Sequence, residues 1–260
     1  DQLGRWALQL RPEPGILRIE NLRGELGELL LDGEMTWSDV TGSEVSRFRG
    51  TVKGGGLQGL DPLTENGIPF RNENTAIELD LDWPGRPDGF ALERLNGTVS
   101  LQLDDGVILE QNNTAQLFRI FNLLNTDTLW RRLQFDFSDL YEAGVAFDAI
   151  SGSASITDGL LTWDPELQVV GPSGAFELSG TTNMAEESLN MKLVVVLPLT
   201  QNLPLAALLL GAGAPIGGAL FVLDKILGDP LSKLTSATYS VTGSWSEPEV
   251  DLQGVFGAGD

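Results

Sequence analysis

Hydrophobic residues recur at every second position along much of this chain. Trp6, Leu8 and Leu10 alternate with polar or small residues, as do Met35 and Trp37, then Ile77, Leu79, Leu81 and Trp83. The same alternation runs through Val99, Leu101 and Leu103, through Leu133, Phe135 and Phe137, and through Phe176 and Leu178. It returns at Met191, Leu193 and Val195 and at Tyr239 and Val241. A period of two gives a strand one apolar and one polar face, the mark of an antiparallel sheet. Between the runs stand Asp32-Gly33, Asn66-Gly67, Asp88-Gly89, Asn96-Gly97, Asp105-Gly106 and Asp158-Gly159. Such pairs accept positive φ and predict tight hairpin turns. A loose repeat links Leu95-Asn96-Gly97-Thr98-Val99 with Ile150-Ser151-Gly152-Ser153-Ala154, each unit followed by an Asp-Gly pair. Together these features predict a mainly β, meander-like antiparallel chain that grows hairpin by hairpin.

Two segments break the period. Leu117, Ile120, Phe121 and Leu124 fall at i, i+3, i+4 and i+7, behind Asn113 or Thr114 as a cap, and predict a short amphipathic helix at about 114–125. No charged residue occurs from Leu193 through Leu223. Within that stretch Leu203–Leu223 is long enough to cross a bilayer, which takes ~20 residues. Pro215 and several glycines interrupt it, and strands continue on both sides. A kinked apolar helix or helix pair at about 204–227, packed in or on the sheet, is the expected form. A dip into a membrane interface and a true span stay open beside it.

Composition narrows the chemistry. The 260 residues hold no His and no Cys, which removes imidazole bases, thiolate nucleophiles, zinc–thiolate sites and disulfides. The 16 Lys+Arg against 37 Asp+Glu give a net charge of −21, the wrong sign for a nucleic-acid footprint. Carboxylate chemistry, hard-cation binding or a non-catalytic role remain. The 42% hydrophobic content is ample for a core and far above that of a disordered acidic tail.

The short motifs carry little. Gly54-Gly55-Gly56-Leu57-Gln58-Gly59 has the spacing of a dinucleotide loop, but Asp61-Pro62 follows where a helix is needed, so it reads as a flexible turn. Asp80-Leu81-Asp82 opens like a calcium loop, yet Pro84 stands at the next ligand position. Asp104-Asp105 reads as a turn rather than a cation site. Among 37 acids some pair will stand at glycosidase separation in any fold, so the pattern is uninformative. No catalytic residue, metal site or cofactor is assigned. Arg131-Arg132 is the one adjacent basic pair; it suits either a solvated strand edge or a contact for phosphate oxygens.

Several stretches carry a resemblance. They are Phe118-Arg119-Ile120-Phe121-Asn122-Leu123-Leu124, Arg131 through Leu140, Gly144-Val145-Ala146-Phe147-Asp148, Leu81-Asp82-Trp83-Pro84-Gly85, Val170-Gly171-Pro172, the apolar Leu203–Leu227, and Tyr239 through Trp245 with Pro248. Taken in chain order, over about Ile77 to Leu252, they resemble the C-terminal region of the YhdP family, AsmA-like proteins related in architecture to TamB. The resemblance implies an elongated, curled antiparallel sheet forming a hydrophobic groove, and no enzymatic role. It implies a periplasmic location in a Gram-negative envelope, within a protein anchored in the inner membrane by a helix this chain lacks. It also implies phospholipid as cargo, the outer membrane as neighbour of the C-terminal end, and room for envelope protein partners. The expected division is 1–75 as strands continuing a longer groove, 76–252 as the C-terminal groove domain, and 253–260 as a tail.

A single curled sheet would leave its greasy face open for acyl chains, while the acidic exterior keeps the protein in solution. The expected groove residues are Val99, Leu101, Leu103, Ile156, Phe176, Leu178, Met191, Leu193, Val195, Tyr239 and Val241, each of which also suits a plain core. Arg131 and Arg132 are the expected headgroup contacts. Leu205, Leu208, Leu209, Ile216, Leu220 and Phe221 are the expected membrane contacts. The rival is an extracellular or periplasmic β-sandwich that binds carbohydrate or protein, with paired sheets over a dry core. A carboxylate-dependent hydrolase is a third reading.

Overall fold

A computed structural model of the chain describes residues 4–39, 42–63, 67–109, 144–172, 174–198 and 234–257. Both segments expected as helices, and the Leu133–Phe137 strand, lie outside them. The described residues form one antiparallel sheet of twelve strands whose spatial order is the chain order. The strands are β1 (Arg5–Glu13), β2 (Ile16–Leu26), β3 (Leu29–Ser38), β4 (Val45–Gly54), β5 (Phe70–Pro84) and β6 (Asn96–Ile108). They continue as β7 (Val145–Thr157), β8 (Leu160–Gly171), β9 (Gly174–Asn183), β10 (Ser188–Pro198), β11 (Leu234–Ser244) and β12 (Pro248–Gly257). Three 3-10 turns sit in the connections: η1 (Leu57–Leu63), η2 (Pro87–Gly89) and η3 (Leu92–Arg94). The expected division near residue 75 falls inside β5, which pairs with β6 over 70–82 and with β4 over 75–84.

Alternation gives this sheet two unlike faces. In register, Trp37–Ser46–Trp83, Met35–Phe48–Leu81 and Leu31–Val52–Ile77–Leu101 share one face, the inner one. The other face carries Arg47 beside Asp82, Arg49 beside Asp80 and Lys53 beside Glu78. These cross-strand ion pairs are largely exposed, and such pairs contribute only ~0–1 kcal/mol each. Their main effect is to make that face incompatible with burial, which fixes which side is inner.

The expected hairpin pairs need correction. Asp158-Gly159 does form the β7–β8 turn, with φ of 47° and 74°. Asp32-Gly33 and Asp105-Gly106, however, lie inside β3 and β6, Asn96-Gly97 opens β6, and Asp88-Gly89 falls in η2. Asn66 lies outside the described residues. Inside the strands these glycines serve close approach rather than turning. A Cβ on Gly33 would stand 2.8 Å from the Arg49 carbonyl oxygen and 3.1 Å from the Phe48 ring. Asp105 adopts φ 50°, which lets the alternation slip near the end of β6.

In a meander every second connection leaves the same rim. The long connections, 55–69, 109–144 and 199–233, all leave one rim, together with the tight β2–β3 and β8–β9 turns. The opposite rim carries the β5–β6 connection with η2 and η3, and otherwise shorter turns.

The Gly54–Gly59 stretch is not the flexible turn its composition suggested. It leads into η1, which folds back onto the inner face, where Leu57 and Leu60 join buried clusters with Leu26, Leu29, Leu103 and Phe147. Asn72, 5% exposed, holds it there. Its Oδ1 accepts from the Leu57 N–H at 3.0 Å, and its Nδ2 donates to the Asn74 carbonyl and to the Thr75 hydroxyl. The Gln58 amide in turn brackets the Asn72 backbone, donating to its carbonyl and accepting from its N–H.

Candidate functional site

The inner face is the feature that sets this chain apart. In an ordinary sandwich a second sheet ~10 Å away would cover it. Among the described residues there is one sheet, and its inner face is clustered along neighbouring strands. Leu26, Leu29 and Val52 form one buried group on β2–β4. Met191, Leu193, Val195, Ala237, Tyr239 and Val241 form another on β10 and β11. Between them, Trp83, Leu95 and Ile156 pack toward one rim, and Leu103, Ile150 and Phe147 toward the other, under η1. At the sheet's two edges the apolar face is open: Trp6 is 45% exposed, Leu8 46%, Leu10 58% and Leu252 42%.

All eleven expected groove residues fall on this face. Ladder register aligns Ile77, Leu101 and Gly152, and likewise Val99 with Ala154. Farther along, it aligns Leu178, Leu193 and Tyr239, with Met191 beside Val241 and Phe176 beside Val195. Val99, Leu101, Phe176 and Leu178 are half-buried. Leu103, Ile156, Met191, Leu193, Val195, Tyr239 and Val241 are buried. The face also takes in residues the alternation did not single out: Leu17 and Ile19 on β2, Phe48 and Val52 on β4, Trp163 on β8 and Leu57 on η1. A strand with Phe48, Gly50 and Val52 on one face and Arg47, Arg49 and Lys53 on the other was detectable by its charges.

Two aromatic rings pack closely against glycines of this face. The Trp6 ring covers Gly24, where a Cβ would come within 2.8 Å, and the Phe48 ring covers Gly33 and Gly50.

The opposite face adds one electrostatic feature. Asp148 stands across the β6–β7 ladder from Asp105, between the Asp104–Ala149 and Gly106–Phe147 pairs. Burial raises the Asp148 carboxyl above its usual range, and Asp105 pushes the same way. Its ionisation therefore costs more in the folded state than in the unfolded one. Stability falls as pH rises through the carboxylate range, and the full penalty stands at neutral pH. Asp148→Asn is expected to raise the urea midpoint at pH 7 slightly and to change little at a pH where the carboxyl is protonated in both states. Chemical denaturation at the two pH values checks this.

No group of three or more Asp or Glu able to hold a metal occurs among the described residues. No helix among them is long and apolar enough to cross a membrane.

Comparison with known proteins adds the decisive observation. The family model described as YhdP protein matches residues 1–250. The chain belongs to the YhdP family. A YhdP relative from Escherichia coli (strain K12), described as intermembrane phospholipid transporter YhdP, is 30% identical over 226 residues. That match covers 86% of this chain and 17% of the relative, so the chain spans about one sixth of that YhdP protein's length. No solved structure matches the chain. The remaining expected contacts of this YhdP-family chain, Arg131, Arg132, Leu205, Leu208, Leu209, Ile216, Leu220 and Phe221, lie outside the described residues.

Proposed function

We propose that this chain is one stretch of an intermembrane phospholipid conduit. Acyl chains ride along its inner face, in the periplasmic part of an inner-membrane-anchored protein of a Gram-negative envelope. The observation that carries the reading is the continuous apolar face of a single twelve-stranded sheet, open at Trp6, Leu8, Leu10 and Leu252. Twisted sheets of more than ~10 strands tend to curl. Bulges in the β1–β2, β2–β3, β7–β8, β8–β9 and β11–β12 pairings add twist. Curling turns the apolar face into a trough. Each methylene that leaves water for the trough contributes ~0.8 kcal/mol, with no preferred direction, so a chain shifts along it without meeting a deep well. Headgroups remain in water along the open side. The outer-membrane end, protein partners and headgroup contacts at Arg131 and Arg132 belong to the same proposal, as does membrane contact through the 204–227 segment.

The test is native mass spectrometry of the chain after mild purification. The expected spectrum contains adducts of phospholipid mass. Consistently lipid-free protein, still folded by circular dichroism and unable to take up lipid from vesicles, overturns the proposal.

A further inference from the structure

The connection between β5 and β6, which carries η2 and η3, crosses its rim and turns back onto the inner face. At its start the Trp83 indole N–H donates to the Arg86 carbonyl at 3.1 Å, and the Ser46 hydroxyl donates to the Gly85 carbonyl at 2.9 Å. At its end Leu95 is buried with Trp83 and Ile156, and the Leu95 carbonyl accepts from the Gly159 N–H at 3.0 Å. Between these anchors the Phe90 ring meets the Trp83 ring edge-on, with centroids 5.3 Å apart. Phe90 nevertheless stays 50% exposed and Leu92 46%. A loop pinned at both ends thus holds two large apolar side chains in water at the border of the inner face. The same loop carries an unclaimed cation. Among the described residues, Arg94 and Lys192 are the basic side chains without an ion pair, in a chain of net charge −21. Arg94 reaches back across its own loop, donating from Nη2 to the Gly89 carbonyl at 3.2 Å, which sets the guanidinium beside Phe90 in the chain. The carboxylate of η2, Asp88, is taken by Arg86 at 3.2 Å. A guanidinium has five N–H donors, and the bond to Gly89 uses one.

We propose that this loop holds the phosphate of a phospholipid whose acyl chains lie on the inner face, with the phosphate oxygens on Arg94 and the glycerol end against Phe90 and Leu92. The proposal rests on the conduit reading above and names where along the border of the apolar face a headgroup is met. A planar guanidinium matches two phosphate oxygens at once and is weakly hydrated, so it gives up water readily for such a partner. A phosphodiester in turn offers only acceptors. The pairing of a cation with exposed hydrocarbon is what an amphiphile requires at the point where its chains end and its charge begins. Lys192 supplies the contrast. It is exposed on the outer face, flanked in register by Ser179 and Ser240, and has charge without an apolar neighbour in its row. A small free anion would account for Arg94 alone and leave Phe90 and Leu92 in water without a partner. The hydrogen bonds at both ends of the loop hold these three side chains ready before any lipid arrives, which lowers the ordering cost of binding.

Vesicles of dioleoylphosphatidylcholine mixed with dioleoylglycerol separate the phosphate from the acyl chains. The parent chain, incubated with them and re-isolated, is expected to hold the phospholipid above its share in the vesicle, read by mass spectrometry of the extracted lipid. Arg94→Gln is expected to cut that enrichment about two- to fivefold, the scale of one exposed ionic contact, and to leave dioleoylglycerol uptake unchanged. Lys192→Gln removes the same charge from the outer face and is expected to keep the parent's enrichment. No enrichment in the parent, enrichment unchanged in Arg94→Gln, or an equal drop in Lys192→Gln overturns the inference and leaves the conduit standing. A parent chain that takes up neither lipid overturns the conduit reading, and this inference with it. Glycerophosphocholine, the same headgroup without acyl chains, is expected to give no Arg94-dependent heat in titration calorimetry. Such heat would mark a site for free phosphate compounds and overturn the inference. Loss of vesicle adhesion in Arg94→Gln at unchanged enrichment would mark a contact with the bilayer surface and overturn it as well.

Discussion

Leu101→Asp is expected to abolish lipid loading without unfolding the chain. Leu101 sits at the middle of β6, in register with Ile77 on β5 and Gly152 on β7, and is half-buried on the inner face. In the unloaded protein a carboxylate there still reaches water along the open side. With acyl chains in the trough it does not, and an unpaired charge among hydrocarbon is unfavourable by several kcal/mol. Each 1.4 kcal/mol is a factor of about ten, so bound phospholipid should drop at least tenfold. Thr98→Asp, three residues away on the exposed outer face of the same strand, is the matched control and should load normally. Quantifying co-purified lipid from both variants, with circular dichroism to verify folding, decides the matter. Equal loading would mean that the inner face of β6 does not contact cargo.

Asn72→Ala is expected to be the most destabilising single substitution among the polar residues. The change removes the acceptor of the Leu57 N–H and the donor shared by the Asn74 carbonyl and the Thr75 hydroxyl. Each buried group left without a partner costs roughly 1–3 kcal/mol, and the three are not additive, so a loss of about 2–4 kcal/mol is expected in urea titration. Asn72→Asp separates the two roles. It keeps the acceptor for Leu57 but loses the donor, and should be less damaging. If Asn72→Ala unfolds at the same urea concentration as the parent chain, η1 is not held by this network.

Most of the fold was legible in the alternation, because a period of two needs no tertiary information to place one residue set on one side. That is why eleven residues from β6, β7, β9, β10 and β11 fell together on the inner face. What the alternation left out has local causes. On β2, Asn21 adopts φ 51° within a bulge, which shifts the parity between Ile19 and Leu22. On β4 the inner face includes the polar Ser46, buried with its hydroxyl donating to the Gly85 carbonyl, and Gly50, against which the Phe48 ring packs. The Asp-Gly pairs misled for a related reason. Glycine serves close approach of backbone or ring as well as turning, and only the partner strand tells which. The clamp at Asn72 was invisible because its partners, Leu57 and Gln58, lie fourteen and more residues away with no pattern linking them.

The strand order has one more consequence. Because each strand pairs only with its neighbours in sequence, the sheet behaves as a ruler. Eleven steps of about 4.8 Å give this stretch a contour of about 50 Å, and one added or deleted hairpin changes that reach by about 10 Å. No other pairing has to be rearranged for the change to be accommodated. Reach is thus a quantity evolution can adjust in discrete increments, independently of the greasy lining, by duplicating or losing hairpins.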